Sequence, residues 1–377
     1  MTIQARAAIV RRAGDPVSIE SIHVDNPGPG EILVRVVATG VCHTDLHVKL
    51  GNAGTRFPYV LGHEATAVVE ELGEGVAEPA VGTIVVLTWR APCRRCRYCV
   101  AQRPEFCLQP QTAQPRMRTT DGEVLGRVLG LGTFATHTVV AAAQAIPIPV
   151  GLAPEATALV GCAVGTGVGA VLNAAEVERG STVAVFGCGT IGACVIQGAR
   201  LVGAARIFAI DRVERKLAWA REFGATDTVD ATMEDAVAVI KERTGSGVTY
   251  AFECVGLPQT LQQAMASCES GGLCVMIGVP TPTAELPLSM SRFFQARGHL
   301  KATFFGDCVP ERDIPAYVER YRRGELDLDR LVTARISLDD LEDAFARLER
   351  GEVLRSVVVM GTQSPVFRSA ASDSHLG

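Results

Sequence analysis

Long apolar runs are missing from this chain of 377 residues. No stretch of about 18 or more uninterrupted apolar residues occurs, which argues against a membrane span. An excess of basic charge is missing too: the formal net charge is -5, so there is no cationic footprint for nucleic acid. The opening residues, Met1-Thr2-Ile3-Gln4-Ala5-Arg6, lack the apolar stretch of an export signal and run straight into strand-like sequence. Internal repeats are absent. Charged residues make up only 20% and hydrophobic ones 47%, the balance of a globular chain rather than a disordered one. The length exceeds what one small core needs and suggests two domains.

Cysteine, by contrast, is plentiful: there are twelve. With no export signal a reducing, cytoplasmic setting is expected. There, clustered thiols bind metal or sit buried more often than they pair as disulfides. Cys93, Cys96, Cys99 and Cys107 fall within 15 residues, and the other eight are scattered.

Residues from about 5 to 160 are rich in Val, Gly and Pro, with short runs such as Ile32–Val37 and Thr83–Leu87. Short strands between turn residues predict a mainly β domain. The character changes near residue 164. Strands are expected at 182–186, 206–210, 228–229, 248–254 and 272–278, alternating with helices at 190–202, 213–223, 233–243 and 258–268. That alternation predicts a parallel, doubly wound sheet. After about 305 the pattern turns helical and ends in a strand at 356–360, and the Ser-rich stretch from Gly361 is expected to fray.

Gly187-Cys188-Gly189-Thr190-Ile191-Gly192 reads G-x-G-x-x-G between an expected strand and helix, and Asp211 follows Gly192 by 19 residues. This context, rather than the glycines alone, marks a dinucleotide site. The glycines let backbone N–H groups approach a pyrophosphate. Asp211 can accept both adenosine ribose hydroxyls and would repel a 2′-phosphate, which favours NAD over NADP. Arg212 beside it could instead accommodate that phosphate, or be a surface arginine.

The four clustered cysteines satisfy tetrahedral zinc with no open position, the structural type of site. An iron–sulfur cluster is the alternative from spacing alone. The arginines at 94, 95, 97 and 103 would offset the thiolate charge. A second candidate set, Cys42, His63 and Cys162, is dispersed, and its spacing alone is a weak signal. Two sulfurs and one imidazole would leave a fourth zinc position for water or substrate, as a catalytic site requires.

With these motifs in hand the chain resembles the medium-chain zinc-dependent alcohol dehydrogenases. The likeness runs from about residue 5 to 360. It rests on Gly40-Val41-Cys42-His43-Thr44-Asp45-Leu46-His47, Gly62-His63-Glu64, the four-cysteine lobe, Gly161-Cys162, Thr166-Gly167 and the 187–192 fingerprint. The resemblance implies an α/β protein. A GroES-like, mainly β catalytic domain (1–163 and 305–377) would carry two zincs per subunit, and a Rossmann domain (164–304) would bind NAD.

By the same resemblance, Cys42, His63 and Cys162 hold the catalytic zinc, with Asp45 and Glu64 as carboxylates that orient or tune it. Thr44 bonds the substrate hydroxyl, and His47 ends a proton relay. His43 and Arg355 match cofactor-phosphate contacts and Lys216 an adenosine-ribose contact. Thr190, Ile191 and Phe305 join the cofactor set, while Thr166 and Val279 lie near the nicotinamide. Trp89 aligns with an aromatic of the substrate pocket. Without the resemblance, His43 and His47 could simply share a helix face, Lys216 and Arg355 be surface charges, and Val279 and Trp89 be core.

The activity implied is interconversion of a primary alcohol, aromatic or allylic substrates included, and its aldehyde by hydride transfer. Within the family the chain resembles the class III-like branch and its mycothiol-dependent formaldehyde dehydrogenases. Leu87–Arg90, Met117–Gly122, Gly278–Pro282 and Leu300–Cys308 carry that likeness. A catalytically silent NAD- or zinc-binding protein is the alternative from another class. Small-molecule alcohols and aldehydes are the expected partners, and a homodimer or homotetramer the expected assembly.

Overall fold

A computed structural model describes residues 2–52 and 57–361. The Ser-rich stretch after Gly361 lies outside the described residues. Two compact units emerge. One comprises 1–162, 309–324 and 328–377, the other 163–308 and 325–327.

The first unit is built on two sheets. Five strands run in the order Met117–Thr119, Ser18–Asp25, Thr2–Val10, Tyr59–Val60, Gly126–Arg127. Seven form the other sheet, ordered Ala145–Pro147, Ile84–Leu87, Ala65–Leu72, Glu31–Gly40, Arg355–Val359, Val332–Ile336, with His137–Ala141 also on Glu31–Gly40. Pairing is mostly antiparallel. Glu31–Gly40 is the hub, and all of it but Arg35 is buried. Ile32, Val34 and Val36 join Ala65, Ala67, Val85 and Leu87 in one cluster. Burying each of these larger aliphatic side chains stabilises the fold by about 1.5–3 kcal/mol. The last strand, Arg355–Val359, pairs antiparallel with Glu31–Gly40 and so anchors the C-terminal segment in this unit.

The second unit is a six-stranded sheet, parallel throughout. Its order is Asp227–Asp230, Arg206–Asp211, Thr182–Phe186, Val248–Glu253, Cys268–Met276, His299–Ala302. The expected alternation of strands and helices is present. Thr190–Val202 is the first helix, and it ends where Gly203 turns left-handed at φ 81. The helix expected from 233 begins at Ala236, because the Asp235 side chain caps Val237 and Ala238 N–H. The strand expected from 272 begins earlier, at Cys268.

Residues 305–308 belong to the second unit rather than the first, since the Gly306 backbone packs on the carbonyls of Gly165 and Thr166. Glu325–Asp327 also join it. Gln197 Nε2 donates to Asp327 O (3.2 Å), and Asp327 N donates back to Gln197 Oε1 (2.7 Å). Among the described residues, no single helix is long and apolar enough to cross a membrane.

Candidate metal centres and dinucleotide site

Cys42 caps a short helix, His43–Lys49, in the first unit. Asp45 lies in its first turn with no exposed surface. Its carboxylate ties three separate points together. Oδ1 accepts from Gly62 N (2.8 Å) and sits 3.1 Å from His63 Nδ1, while Oδ2 accepts from Cys42 N (3.3 Å). Gly62 is required there: its φ is +90, and a Cβ would lie 2.4 Å from Phe134 N. With Nδ1 against Asp45, the other ring nitrogen of His63 faces Cys162 Sγ at 3.3 Å.

Cys42, His63 and Cys162 thus converge, their ligand atoms all within 4.8 Å of one another and all three residues buried. The two thiols share a hydrogen bond, which holds Cys42 well below the usual thiol range and Cys162 well above it. Burial opposes protonation of His63, but the Asp45 carboxylate outweighs it and raises the imidazole. Thr44 Oγ1 lies 3.8 Å from Cys42 Sγ.

Glu64 and Arg355 meet behind this cluster. Arg355 Nε is 3.2 Å from Glu64 Oε1, and Arg355 Nη1 donates to Val41 O (2.7 Å). Arg355 is only 2% exposed, so it is no surface charge. Burial pushes Glu64 up to about 7, against the pull of Arg355. The signal for this pair was slight in sequence, although Gly40 could have hinted at it: a Cβ there would lie 1.9 Å from Glu64 Oε1.

The second cluster is local. Cys93, Cys96, Cys99 and Cys107 bring four sulfurs within 4.8 Å of one another. Backbone N–H groups point inward at them: Cys93 N lies 3.2 Å from Cys107 Sγ, and Cys96 N 3.3 Å from Cys93 Sγ. Such bonds, led by one from the Leu108 backbone, lower Cys96 to about 6, whereas burial raises Cys99 to about 12. Sulfurs 3.6 and 4.0 Å apart match the ~3.8 Å separation expected around one tetrahedral zinc with bonds near 2.3 Å. An iron–sulfur cluster spreads four thiolates over at least two irons and holds some of them farther apart than 4.8 Å, so that alternative fits poorly.

In the second unit the fingerprint turn follows strand Thr182–Phe186. Gly187 has φ +92, and a Cβ on Gly192 would strike Gly187 O at 2.0 Å. A Cβ on Gly189 would meet nothing within 4 Å, so the helix N-terminus at Thr190 has room for a phosphate. Asp211 closes the turn. Its Oδ2 accepts from Cys188 N (2.7 Å), and its Oδ1 accepts from Arg212 N (2.8 Å) and Val213 N (3.0 Å).

Other residues singled out by sequence take various positions. Val279 is 63% exposed and therefore not core. Thr166, Ile191 and Lys216 are half-buried, and Arg212 is exposed. Phe305 is buried. Trp89 packs partly buried against the sheet core. His43 is exposed and His47 half-buried, and they do lie on one helix.

Glu253 was not singled out. Fully buried, it accepts from Val255 N (2.9 Å), Gly256 N (2.9 Å) and Thr260 Oγ1 (2.7 Å), shaping the turn after Val248–Glu253. A lone carboxylate closing an apolar strand was the available signal.

Two family models match: "Alcohol dehydrogenase GroES-like domain" over residues 28–150 and "Zinc-binding dehydrogenase" over 190–323. Alcohol dehydrogenase-like 5 of Arabidopsis thaliana is 36% identical over 375 residues, covering 95% of this chain and 96% of that protein. The chain belongs to the medium-chain zinc-dependent alcohol dehydrogenase family.

It is therefore an NAD(P)-linked oxidoreductase with a GroES-like domain and a Rossmann domain, and the catalytically silent alternative falls away. S-(hydroxymethyl)glutathione dehydrogenase of Komagataella pastoris is 35% identical over 373 residues, 95% of this chain and 98% of that protein. Among solved structures, benzyl alcohol dehydrogenase from Acinetobacter calcoaceticus superimposes with a TM-score of 0.89 at 28% identity, covering 95% of this chain and 100% of that one.

Proposed function

We propose that this dehydrogenase oxidises primary alcohols, aromatic and allylic ones among them, to aldehydes with NAD, using one catalytic and one structural zinc per chain. The observation that carries the reading is the convergence of Cys42, His63 and Cys162 around a histidine already oriented by Asp45. Three donors leave one of zinc's four positions for substrate. Four thiolates at Cys93, Cys96, Cys99 and Cys107 leave none, which fits a structural ion.

When bound, the metal supplies Lewis acidity that acidifies an alcohol or polarises a carbonyl, and the nicotinamide supplies the hydride acceptor. The protein's own groups do the rest. Thr44, beside Cys42, accepts the substrate's proton and passes it on, and His47, one turn along the same helix, delivers it towards solvent. Asp45 fixes the His63 tautomer. The Glu64–Arg355 pair supplies fixed charge close behind the ligands. In the Rossmann unit, Thr190 and Ile191 at the helix start, with Lys216, are assigned to the cofactor's phosphates and adenosine ribose. Thr166, Val279 and the backbone at Phe305 are assigned to its nicotinamide end. Asp211 selects NAD by repelling a 2′-phosphate.

The assembly we favour is a dimer through the outer strand His299–Ala302. That edge is unpaired in the sheet, and Met290 and Phe294 nearby are each 84% exposed. Light scattering of Met290→Glu/Phe294→Glu should report a monomer.

A purified-protein substrate panel tests the reading. Benzylic or other primary alcohols should reduce NAD without added thiol, and Cys42→Ser or His63→Ala should abolish turnover while NAD binding persists. The relationship to S-(hydroxymethyl)glutathione dehydrogenase supports a second reading, oxidation of a formaldehyde–thiol adduct, with mycothiol as the thiol. Formaldehyde oxidation only in that thiol's presence would decide for it.

A further inference from the structure

Three consecutive residues of the second unit take left-handed backbone: Phe305 (φ 60), Gly306 (φ 63) and Asp307 (φ 52). Only glycine adopts this region freely, and a bulky aromatic there is a true outlier. Such conformations persist where surrounding structure dictates them, and they gather at functional sites.

The surroundings can be named. Gly306 seats its backbone on the Ala163–Gly169 helix so closely that a Cβ would lie 2.5 Å from both Gly165 O and Thr166 O. That helix runs into a π-helical turn, Ala170–Ala174, another irregularity frequent at functional sites. Asp307 clamps the far side. Its Oδ1 accepts from Thr303 Oγ1 (2.8 Å), and its Oδ2 pairs with Lys301 Nζ (2.9 Å). Lys301 Nζ also donates to Ala174 O (2.8 Å), the last residue of the π turn. One ammonium thus joins the strained turn to the irregular helix that carries Thr166. The Asp307 carboxylate is 12% exposed, while the Lys301 side chain is 37% exposed, so the clamp is buried on its carboxylate side only.

We propose that Asp307 is a positioning residue for the cofactor: through Lys301 and Thr303 it locks Phe305–Gly306–Asp307 against Gly165 and Thr166, and so fixes the backbone wall that receives the nicotinamide end. The inference rests on the assignment of Thr166 and Phe305 to the nicotinamide. Asp307 touches neither substrate nor cofactor.

The test separates clamp from backbone. Asp307→Gly removes the carboxylate but adopts left-handed φ without strain, whereas Asp307→Asn keeps size and a hydrogen-bond acceptor for Thr303. For each variant, NAD and ADP-ribose affinities, KM for NAD, kcat and melting temperature are measured on the zinc-loaded protein. ADP-ribose lacks the nicotinamide and serves as the control. Asp307→Gly should lose about tenfold in NAD affinity and keep ADP-ribose affinity within twofold, and Asp307→Asn should recover part of the loss. Unchanged NAD affinity in Asp307→Gly, or equal losses for both ligands, would overturn the proposal. Thr166→Val isolates the underlying assignment. If that variant also leaves NAD affinity untouched, the nicotinamide reading of Thr166 fails. If it weakens NAD while Asp307→Gly does not, only the positioning role fails.

Discussion

Asp45 Oδ1 lies 3.1 Å from His63 Nδ1, with neither side chain exposed. The same carboxylate holds the backbone N–H of Cys42 and of Gly62, so one buried group sets the positions of two proposed ligands from separate segments. Asp45→Asn keeps the size but replaces one acceptor oxygen with a donor. Outer partners of metal ligands are worth about 10–100-fold in metal affinity. Zinc retained under a chelator series should fall by that margin for the catalytic ion alone, and turnover with it. Wild-type zinc affinity in the variant would count against the arrangement.

Asp211 has two tasks, and the second is visible only in three dimensions. Beyond its proposed contact with a ribose, its carboxylate holds Cys188, Arg212 and Val213 N–H groups. Asp211→Gly should therefore weaken binding of both dinucleotides but penalise NAD more, moving the NAD:NADP preference by about tenfold or more (about 1.4 kcal/mol). Fluorescence titrations with NADH and NADPH measure this. A wild-type enzyme that already prefers NADPH would refute the cofactor assignment.

Asp227 supplies a pH test of the Rossmann unit. Arg206 donates to it twice (2.8 Å each) and Arg243 once (3.1 Å). The Arg206 bonds lead in holding its pKa at about 2, below the usual aspartate range. Because the folded pKa is depressed, this stabilisation is full above about pH 4 and is lost as pH falls towards 2. Discounted for the partly exposed arginines, Asp227→Asn should cost about 1–2 kcal/mol at pH 7. Denaturant melts should show the gap between variant and wild type closing near pH 2, and a gap that persists there would contradict the ion-pair account.

His47 shares the short helix with Thr44 and is half-buried. Proton transfer by a positioned side chain contributes roughly 10²–10⁴-fold. Glutamine at this position keeps hydrogen bonding but cannot accept and release the relayed proton. His47→Gln should slow alcohol oxidation at pH 7 at least tenfold and flatten the acidic limb of the rate profile. The relay loses its support if that profile is unchanged.

The sequence made some of this legible and hid the rest, for physical reasons. Helix 190–202 was readable residue by residue, because its start is set by the glycine turn and its end by Gly203, both local signals. The four-cysteine lobe was readable because its ligands lie within one loop. Cys42, His63 and Cys162 were not, since 99 residues separate the histidine from Cys162 and no local pattern links them. Only the resemblance joined them. Phe305–Asp307 escaped as well. Its conformation depends on Lys301, Ala174 and Thr166, none of which a propensity scale connects to it. Sequence therefore marks what is decided within a turn or two of chain, and misses what a carboxylate such as Asp45 or Asp307 gathers from afar.

That contrast makes the cysteine lobe the cleanest place to separate structure from catalysis. Its four sulfurs are bridged by backbone N–H groups, and Arg94 ties the lobe by an ion pair to Glu311 of helix Pro310–Arg322. Bound zinc would neutralise the negative charge that four sulfur ligands bring to one site. Cys96→Ser keeps the shape but offers a poor metal ligand. Metal analysis should then fall from two zincs to one per chain, matching the two ligand clusters. Melting temperature should drop by about 2–4 °C for each kcal/mol lost. Dinucleotide affinity should stay at wild-type level, because the fingerprint belongs to the other unit. Turnover per remaining zinc should also survive at temperatures where the protein is folded. If loss of this one zinc instead abolished activity at full folding, the lobe would have to take part in catalysis, and its assignment as a purely structural site would be wrong.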